Sequence, residues 1–452
     1  MTIFPNQLWR RFDLLSKSAN MRGILASVGI KGASALSMLV LVVLASHLLD
    51  GETFGRFTVL FSLASILGVV AAFGQELLII RLWNEYDARS QPQLLRGALL
   101  FGFAISALMA ALTAIAVFYH TVRSETMSLG FLVALFVILY TFVLFFSHLS
   151  RAVVSVPVGD GHRDVTALLP LNGALLIAFL MESALSLGAI FALFNGGFAL
   201  CLLLQMSALA KRLKRHPIAR EGGGIAFDFK AWLPPSLRLW IATILESSNQ
   251  YLEVVLIGFF LSPTMAGIYF VATRIANGFL TAADGFNMFG SRQIPALFYQ
   301  GDHHGLARLL RTMALMSALV IGVGMSIFVI GGEWVLGLFG PAYGAYYSVL
   351  IVLCIGTAGL AATGPATQML TLTGHDERYL VIMALSVVVR IAGFFALIPV
   401  FGIIGAALAN AASLLLITGL VTWSARSLTG HDPSVLRLVL PLAIPPTEKA
   451  GA

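Results

Sequence analysis

Twelve long runs of apolar residues constrain the fold of this chain more than any other feature. A helix that crosses the hydrocarbon layer of a membrane needs roughly 20 mostly apolar residues. The runs lie near 23–48, 56–81, 97–118, 128–149, 164–181, 184–210, 237–261, 265–290, 310–331, 346–371, 379–399 and 402–425. With 58% hydrophobic and 11% charged residues, the chain has too little polar surface to cover a soluble core. The sequence therefore predicts an all-α integral membrane protein with about 12 transmembrane helices.

The Lys and Arg residues fall on one side of the predicted spans. With the N-terminus inside, the outside loops hold Arg123 as their one basic residue, together with acidic residues such as Asp50 and Glu125. Because Lys and Arg in short loops stay cytoplasmic, we expect a multi-pass protein with both termini in the cytoplasm. The net charge of +7 then reflects topology and contact with membrane lipids, and not nucleic-acid binding.

Short motifs of the first half recur in the second half at a nearly constant separation. The pairs are Phe54-Gly55-Arg56-Phe57 with Ala266-Gly267-Ile268-Tyr269, Leu94-Leu95-Arg96 with Leu309-Leu310-Arg311, and Gly161-His162 with Gly374-His375, at offsets of 212, 215 and 213. A repeat of about half the chain predicts two lobes with the site between them. Six runs lie on each side of a basic segment, so the two six-helix lobes have parallel topology around a central cavity. The predicted domains are 1–213 (N-terminal lobe), 214–235 (basic cytoplasmic linker), 236–426 (C-terminal lobe) and 427–452 (cytoplasmic tail).

Charged side chains inside the runs mark the predicted cavity, because they are costly at membrane depth unless they face protein or water. Most lie on the first, second, seventh and eighth runs, which the repeat relates in pairs. On the seventh run the polar residues follow the spacing i, i+3, i+4, i+7, which is one helical face. The predicted substrate cavity comprises Lys31, Glu76, Glu246, Asn249, Gln250, Glu253, Arg274, Asn277 and Asp284.

An alternative for the same residues is a dry interface in which they pair with one another, for instance Arg274 with Glu246 or Glu253. Arg390, on the eleventh run, stands apart from the four cavity runs. For Arg390 the sequence favours a structural pair or a contact with a neighbouring helix over substrate binding.

Four arginines lie at the cytoplasmic ends of the cavity runs and form a predicted cytoplasmic mouth: Arg22, Arg81, Arg238 and Arg292. One interpretation is that they snorkel to the lipid headgroups. The other is a guanidinium ring that binds a diphosphate, since arginine matches phosphate oxygens with two parallel hydrogen bonds.

Motifs of catalytic sites are missing from the sequence. We find no phosphate-binding P-loop, no G-x-S-x-G, and no His, Cys or carboxylate residues at metal-ligand spacing. The sequence therefore predicts no enzyme activity, no metal site and no cofactor. Coupling to an H⁺ or Na⁺ gradient or to the membrane potential is left open.

The segment 398–409 resembles the I-P-x-F-G-x-x-G-A-A-x-A pattern of polysaccharide-transport flippases. These belong to the multidrug/oligosaccharidyl-lipid/polysaccharide exporter (MOP) superfamily. The link from Leu48 to Phe57 and the turn Thr373-Gly374-His375 are similar to this family as well. The resemblance implies a carrier for surface polysaccharide or exopolysaccharide biosynthesis. Such a carrier moves an undecaprenyl-diphosphate-linked oligosaccharide to the outer leaflet of the bacterial cytoplasmic (inner) membrane.

The same resemblance implies partners and site residues. The expected partners are the lipid-diphosphate-linked oligosaccharide, membrane lipids, and polysaccharide polymerase and assembly proteins. Lys31 and Arg274 would be the cations of the cavity. The carboxylates of the predicted cavity depart from a plainly cationic site, and would suit a zwitterionic or amino-sugar glycan or a coupling cation.

Two other functions are weighed against a flippase. A multidrug and toxin extrusion (MATE) antiporter of the same superfamily typically carries a carboxylate on the first helix, where this chain has Lys31 and no acid. A non-transporting subunit of a polysaccharide synthase complex would not need four polar helix faces.

Overall fold

The computed structural model describes residues 19–214, 216 and 224–439, and helices make up all of the regular structure in these ranges. In chain order the α-helices are α1 (Ala19–Leu48), α2 (Gly51–Ala72), α3 (Gln75–Ala88), α4 (Pro92–Val122), α5 (Met127–Val153), α6 (Val156–Asp164), α7 (Leu169–Leu180), α8 (Leu187–Leu213), α9 (Phe229–Phe260), α10 (Pro263–Ala276), α11 (Gly278–Tyr299), α12 (His303–Gly337), α13 (Tyr347–Ala361), α14 (Ala366–Leu372) and α15 (Asp376–Thr429). Short 3₁₀ helices cover Thr166–Leu168, Pro341–Tyr346 and Val435–Leu438.

Each predicted apolar run coincides with one helix, with a pair of helices, or with half of α15. The pairs are α2 with α3, α10 with α11, and α13 with α14, so three predicted runs contain a break between helices. The run 164–181 coincides with α7, and α6 ends where that run begins. Nine segments of the described chain are long and apolar enough to cross a membrane. Neither α9 nor the α10–α11 pair is among the nine, and these carry the polar faces predicted from the sequence. The all-α transmembrane fold is confirmed.

The helix α15 reverses direction near Gly402 and supplies two of the predicted spans. Gly402 has φ 59° and ψ −137°, a conformation that suits glycine and ends the regular helix. Arg390 Nε donates to Ser413 Oγ at 2.8 Å, although 23 residues of straight helix would place them about 35 Å apart. The chain must therefore fold back between them, as the separate apolar runs 379–399 and 402–425 predict.

The chain divides into two compact units that do not follow the predicted linker. The first comprises Met1–Leu49 and Leu60–Leu252, and the second comprises Asp50–Val59 and Glu253–Ala452. The division therefore falls within α9, and the first turns of α2 group with the second unit. The lobe boundaries at 213 and 236 stay a prediction.

In the first unit, the described part of the linker packs on α3 and α4. The Ala226 amide donates to the Gln93 carbonyl at 3.1 Å. Trp232 is fully buried, and its indole donates to the Tyr86 hydroxyl at 2.8 Å. These contacts attach the start of α9 to the first unit.

The break between α2 and α3 exposes backbone carbonyls that α9 satisfies. Phe73 and Gly74 both have positive φ, 55° and 71°, which ends α2. Ser236 Oγ donates to the Phe73 carbonyl and the Trp240 indole donates to the Val70 carbonyl, both at 2.8 Å. Since an unsatisfied carbonyl is costly in a membrane, α9 holds the break in place, and Glu76 follows directly after it.

In the second unit, the two copies of the repeated glycine motif pack against each other. A Cβ on Gly55 would lie 1.9 Å from the Pro263 carbonyl oxygen, and one on Gly267 would lie 2.9 Å from Phe54 Cδ1. Only glycine permits so close an approach of two backbones.

The predicted cytoplasmic tail begins as a packed segment. After α15 ends at Thr429, the Val435 amide donates to the Ala362 carbonyl at 2.9 Å. Asp432 is buried and accepts from the Ser434 amide at 2.9 Å and from its hydroxyl at 2.7 Å. Residues 430–439 thus form part of the second unit, and 440–452 lie outside the described residues.

Candidate functional site

The residues of the predicted cavity are shared between the two compact units. The first unit holds Lys31, Glu76, Glu246, Asn249 and Gln250, and the second holds Glu253, Arg274, Asn277 and Asp284. The backbone of Asp284 lies in α11, but its side chain is outside the described residues.

In the first unit, the structure brings two of the predicted carboxylates together. Glu76, in the first turn of α3, is 4% exposed. Its carboxylate interacts with the Thr243 hydroxyl and lies within electrostatic range of Glu246 on α9. The other Glu76 oxygen, Oε2, has no hydrogen-bond partner among the described residues. Acids from the second and the seventh predicted runs thus lie near each other.

The other polar groups of the first unit are more open. The Lys31 side chain on α1 is exposed, as are Glu246 and Gln250 on α9, while Asn249 is half-buried. These three α9 residues keep the spacing predicted for one polar face.

Glu253 lies on the same side of α9 but differs from these residues in its burial. It is 3% exposed, and its Oε1 accepts from Arg390 Nη1 at 3.0 Å. Its Oε2 accepts from the Tyr269 hydroxyl at 2.6 Å. One interpretation of the sequence paired Glu253 with Arg274, but in the structure its ion-pair partner is Arg390 in α15, 137 residues further along the chain. Arg390 therefore has the structural pair that the sequence favoured for it.

Arg274 and Asn277 lie at the end of α10. The Arg274 guanidinium carbon is 4.6 Å from the centre of the Phe270 ring, a cation–π contact. Asn277 follows the last residue of α10 and is half-buried. Both residues thus precede the break between α10 and α11.

The structure describes the side chains of two of the four mouth arginines. Arg81 and Arg238 are exposed, and Arg81 Nε lies 3.9 Å from Glu85 Oε2 on the same helix. The side chains of Arg22 and Arg292 lie outside the described residues. The ring of four arginines stays a prediction.

Sequence reasoning missed a cluster of charges in the first unit. Arg163 donates to both oxygens of Asp164, at 2.5 Å and 2.9 Å. Arg163 also lies 3.6 Å from Asp160, which is 3.9 Å from Arg151. The sequence began the fifth span at residue 164, whereas the membrane-length segment runs from Val156 to Leu180. The predicted run of only 18 residues was short for a span. That shortness was the feature of the sequence that could have shown that the span begins earlier.

The burial pattern along α9 predicts which single cysteines will react with a thiol reagent. In a background with Cys201 and Cys354 replaced by alanine, single cysteines at 246 and 250 should react with a membrane-impermeant maleimide. Cysteines at 253 and 76 should be protected, because those side chains are buried. The measurement is the labelled fraction in intact and permeabilised cells, with denatured protein as the full-labelling control. Equal labelling at 250 and 253 would contradict the placement of Glu253.

Comparisons with known proteins agree with this architecture. No protein-family model matches the sequence. The probable flippase AglR of Haloferax volcanii is 28% identical over 181 residues, which are 39% of this chain and 38% of that protein. The chain thus matches well under half the length of this curated relative.

Solved transporter structures match nearly the whole chain. An inward-facing multidrug resistance MATE family transporter of the MOP superfamily has a TM-score of 0.70 at 11% identity, covering 90% of this chain and 98% of that one. The lipid II flippase MurJ in an inward closed conformation has a TM-score of 0.63 at 13% identity, covering 89% and 87%. At such identities the likeness shows the fold alone. Together these findings confirm the resemblance: the chain is a multi-pass membrane protein whose fold is similar to those of solved MOP-superfamily structures, and its sequence is similar to that of a probable flippase.

Proposed function

We propose that this chain is a flippase that moves an undecaprenyl-diphosphate-linked oligosaccharide repeat unit across the bacterial cytoplasmic membrane by alternating access. The exported unit would enter surface polysaccharide biosynthesis, where polymerase and assembly proteins act on it. Similarity to a probable flippase supports this proposal. The shared fold supports a transporter of the MOP type without choosing the substrate.

The observation that carries the proposal is the charge on α1. Lys31 is exposed there, and no residue between Ala19 and Leu48 is acidic. An exporter of organic cations needs a carboxylate facing its substrate, whereas a diphosphate needs cations. With Arg274 on α10, Lys31 supplies the second of two positive groups that we assign to diphosphate binding.

The pairing of Glu253 supports the same conclusion. The four carboxylates of the predicted cavity made it roughly balanced in charge. Glu253 is now accounted for by Arg390 and Tyr269, so its charge does not oppose an anionic substrate. Glu76, Glu246 and Asp284 remain as acids that suit an amino-sugar glycan or a coupling cation.

The membrane potential supplies a driving force without ATP. A diphosphate with about two negative charges moves outward with an inside-negative potential, gaining roughly 4–5 kcal/mol per 100 mV. Both termini are proposed to be cytoplasmic, since the basic residues then lie inside.

Depletion of the protein in its host tests the function. We expect lipid-linked repeat units to accumulate in the inner leaflet while surface polysaccharide falls, and re-expression should restore export. Leaflet location is measured by protection from an externally added glycosidase. Normal polysaccharide together with a new sensitivity to organic cations would instead indicate a drug antiporter.

A further inference from the structure

The ion pair of Glu253 and Arg390 is the centre of a buried hydrogen-bond network in the second unit. The two residues are each 3% exposed. Arg390 Nη1 donates to Glu253, and Arg390 Nε donates to Ser413 Oγ at 2.8 Å, which in turn donates to the Asn410 carbonyl at 3.0 Å. The Tyr269 hydroxyl donates to the other Glu253 oxygen and interacts with the Asn410 side chain. The network joins α9, α10 and both halves of α15.

Both oxygens of Glu253 are therefore satisfied by groups of the chain itself. A buried carboxylate is tolerated at membrane depth when it is paired and hydrogen-bonded. Arg390 supplies a full positive charge at 3.0 Å, and Tyr269 supplies a neutral donor at 2.6 Å. The titratable groups that contact Glu253 are Arg390 and Tyr269. Ser413 and Asn410 complete the polar surroundings.

Two polar atoms of this network make no hydrogen bond within it. Arg390 Nη2 and Asn410 Oδ1 are buried without a hydrogen-bond partner among the described residues. The Asn410 oxygen, the Ser413 hydroxyl and the Glu253 carboxylate are all oxygen ligands, the kind that hard cations such as the alkali and alkaline-earth ions prefer. Without the guanidinium, the Glu253 carboxylate would be a buried negative charge with no positive charge beside it. The Ser413 and Asn410 oxygens would be its polar neighbours.

We propose that Arg390 is a built-in cation, which occupies the place that a bound monovalent metal ion or a proton would otherwise take beside Glu253. If transport depends on a cation, that dependence then does not involve cation binding at Glu253. Removing the Arg390 charge creates a vacant site that takes up Na⁺ or H⁺. This inference concerns the second unit alone and holds whichever substrate the protein moves.

Thermal stability of purified protein tests the proposal without a transport assay. The unchanged protein, Arg390→Met and the double variant Glu253→Gln/Arg390→Met are compared. NaCl is varied against choline chloride at constant ionic strength, and pH is varied at constant salt. Removing one partner of a buried pair is strongly destabilising, so Arg390→Met should lower Tm by roughly 10 °C. Because a ligand that binds only the folded state stabilises it, added Na⁺ or a lower pH should recover part of that loss.

The double variant is the matched control. It has no uncompensated acid, so its Tm should exceed that of Arg390→Met, and Na⁺ and pH should affect it no more than they affect the unchanged protein. Arg390→Lys keeps the charge and should also lack the added response. Should Arg390→Met not be purified, Arg390→Gln serves in its place, because its amide keeps a hydrogen-bond donor without the charge.

The salt and pH series distinguish the two occupants. A response to Na⁺ at constant pH shows a metal-ion site, and a response to pH alone shows protonation of Glu253. The proposal is overturned if the neutral variant responds no more than the unchanged protein, or if the double variant keeps the response.

Discussion

Replacing Lys31 or Arg274 by alanine should slow export of the lipid-linked oligosaccharide tenfold or more while the protein stays folded and inserted. Each charge-assisted hydrogen bond to phosphate contributes about 1.5–3 kcal/mol, and about 1.4 kcal/mol corresponds to a factor of ten in rate. Lys31 is exposed on α1, so its loss should disturb packing little. The measurement is the rate of outward movement at matched protein levels, with surface polysaccharide as the cellular readout.

Two further variants interpret that result. Arg274→Lys should recover part of the activity, because the charge remains but the paired hydrogen bonds of the guanidinium are lost. Arg123→Ala removes an exposed arginine after α4, so it controls for the loss of one positive charge. Normal export by both alanine variants at native expression would show that these two residues are not the diphosphate site.

Replacing Gly197 by alanine should destabilise the first unit by about 1–3 kcal/mol or more, whereas the same change at Gly196 should be neutral or stabilising. A Cβ on Gly197 would lie 1.9 Å from the Ala167 carbonyl oxygen, and one on Gly196 would meet nothing within 4 Å. Both glycines lie in α8, so helix propensity is matched and only the contact differs. Because Ala167 belongs to the 3₁₀ turn before α7, relieving the overlap requires the backbone to move.

The difference in Tm between the two purified variants measures this effect. Alanine in place of glycine within a helix gains about 0.5–1 kcal/mol where space allows, so the variants should shift Tm in opposite directions. Equal Tm values would contradict the close approach of α8 to the turn before α7.

The spans could be predicted because membrane helices are recognised by local composition. Each apolar run reappears as a helix, a helix pair or half of α15, and the turn at Gly402 falls between two of the predicted runs. The three breaks within predicted runs were harder to predict. At Phe73 and Gly74 the break depends on donors from α9, more than 160 residues away, and local composition does not report such partners.

The candidate site was predicted in part for the same reason. Helical spacing placed Glu246, Asn249, Gln250 and Glu253 on one face of α9, but it did not show that Glu253 is buried. Periodicity gives the direction of a side chain and not its partner, and Arg390 lies 137 residues away in sequence. The cluster of Asp160, Arg163 and Asp164 was missed because its polar residues resemble a cytoplasmic loop, although they lie within a membrane-length segment.

Reconstitution of the purified protein tests the central claim most directly. Liposomes carrying a fluorescent polyprenyl-diphosphate oligosaccharide in the inner leaflet are given an inside-negative potential, and outer-leaflet label is followed with a membrane-impermeant quencher. The account predicts outward movement that depends on the protein, increases with the potential, and falls at least tenfold in Lys31→Ala. The same vesicles loaded with an organic cation should show no efflux above empty liposomes. Cation efflux without movement of the lipid-linked sugar would contradict the account.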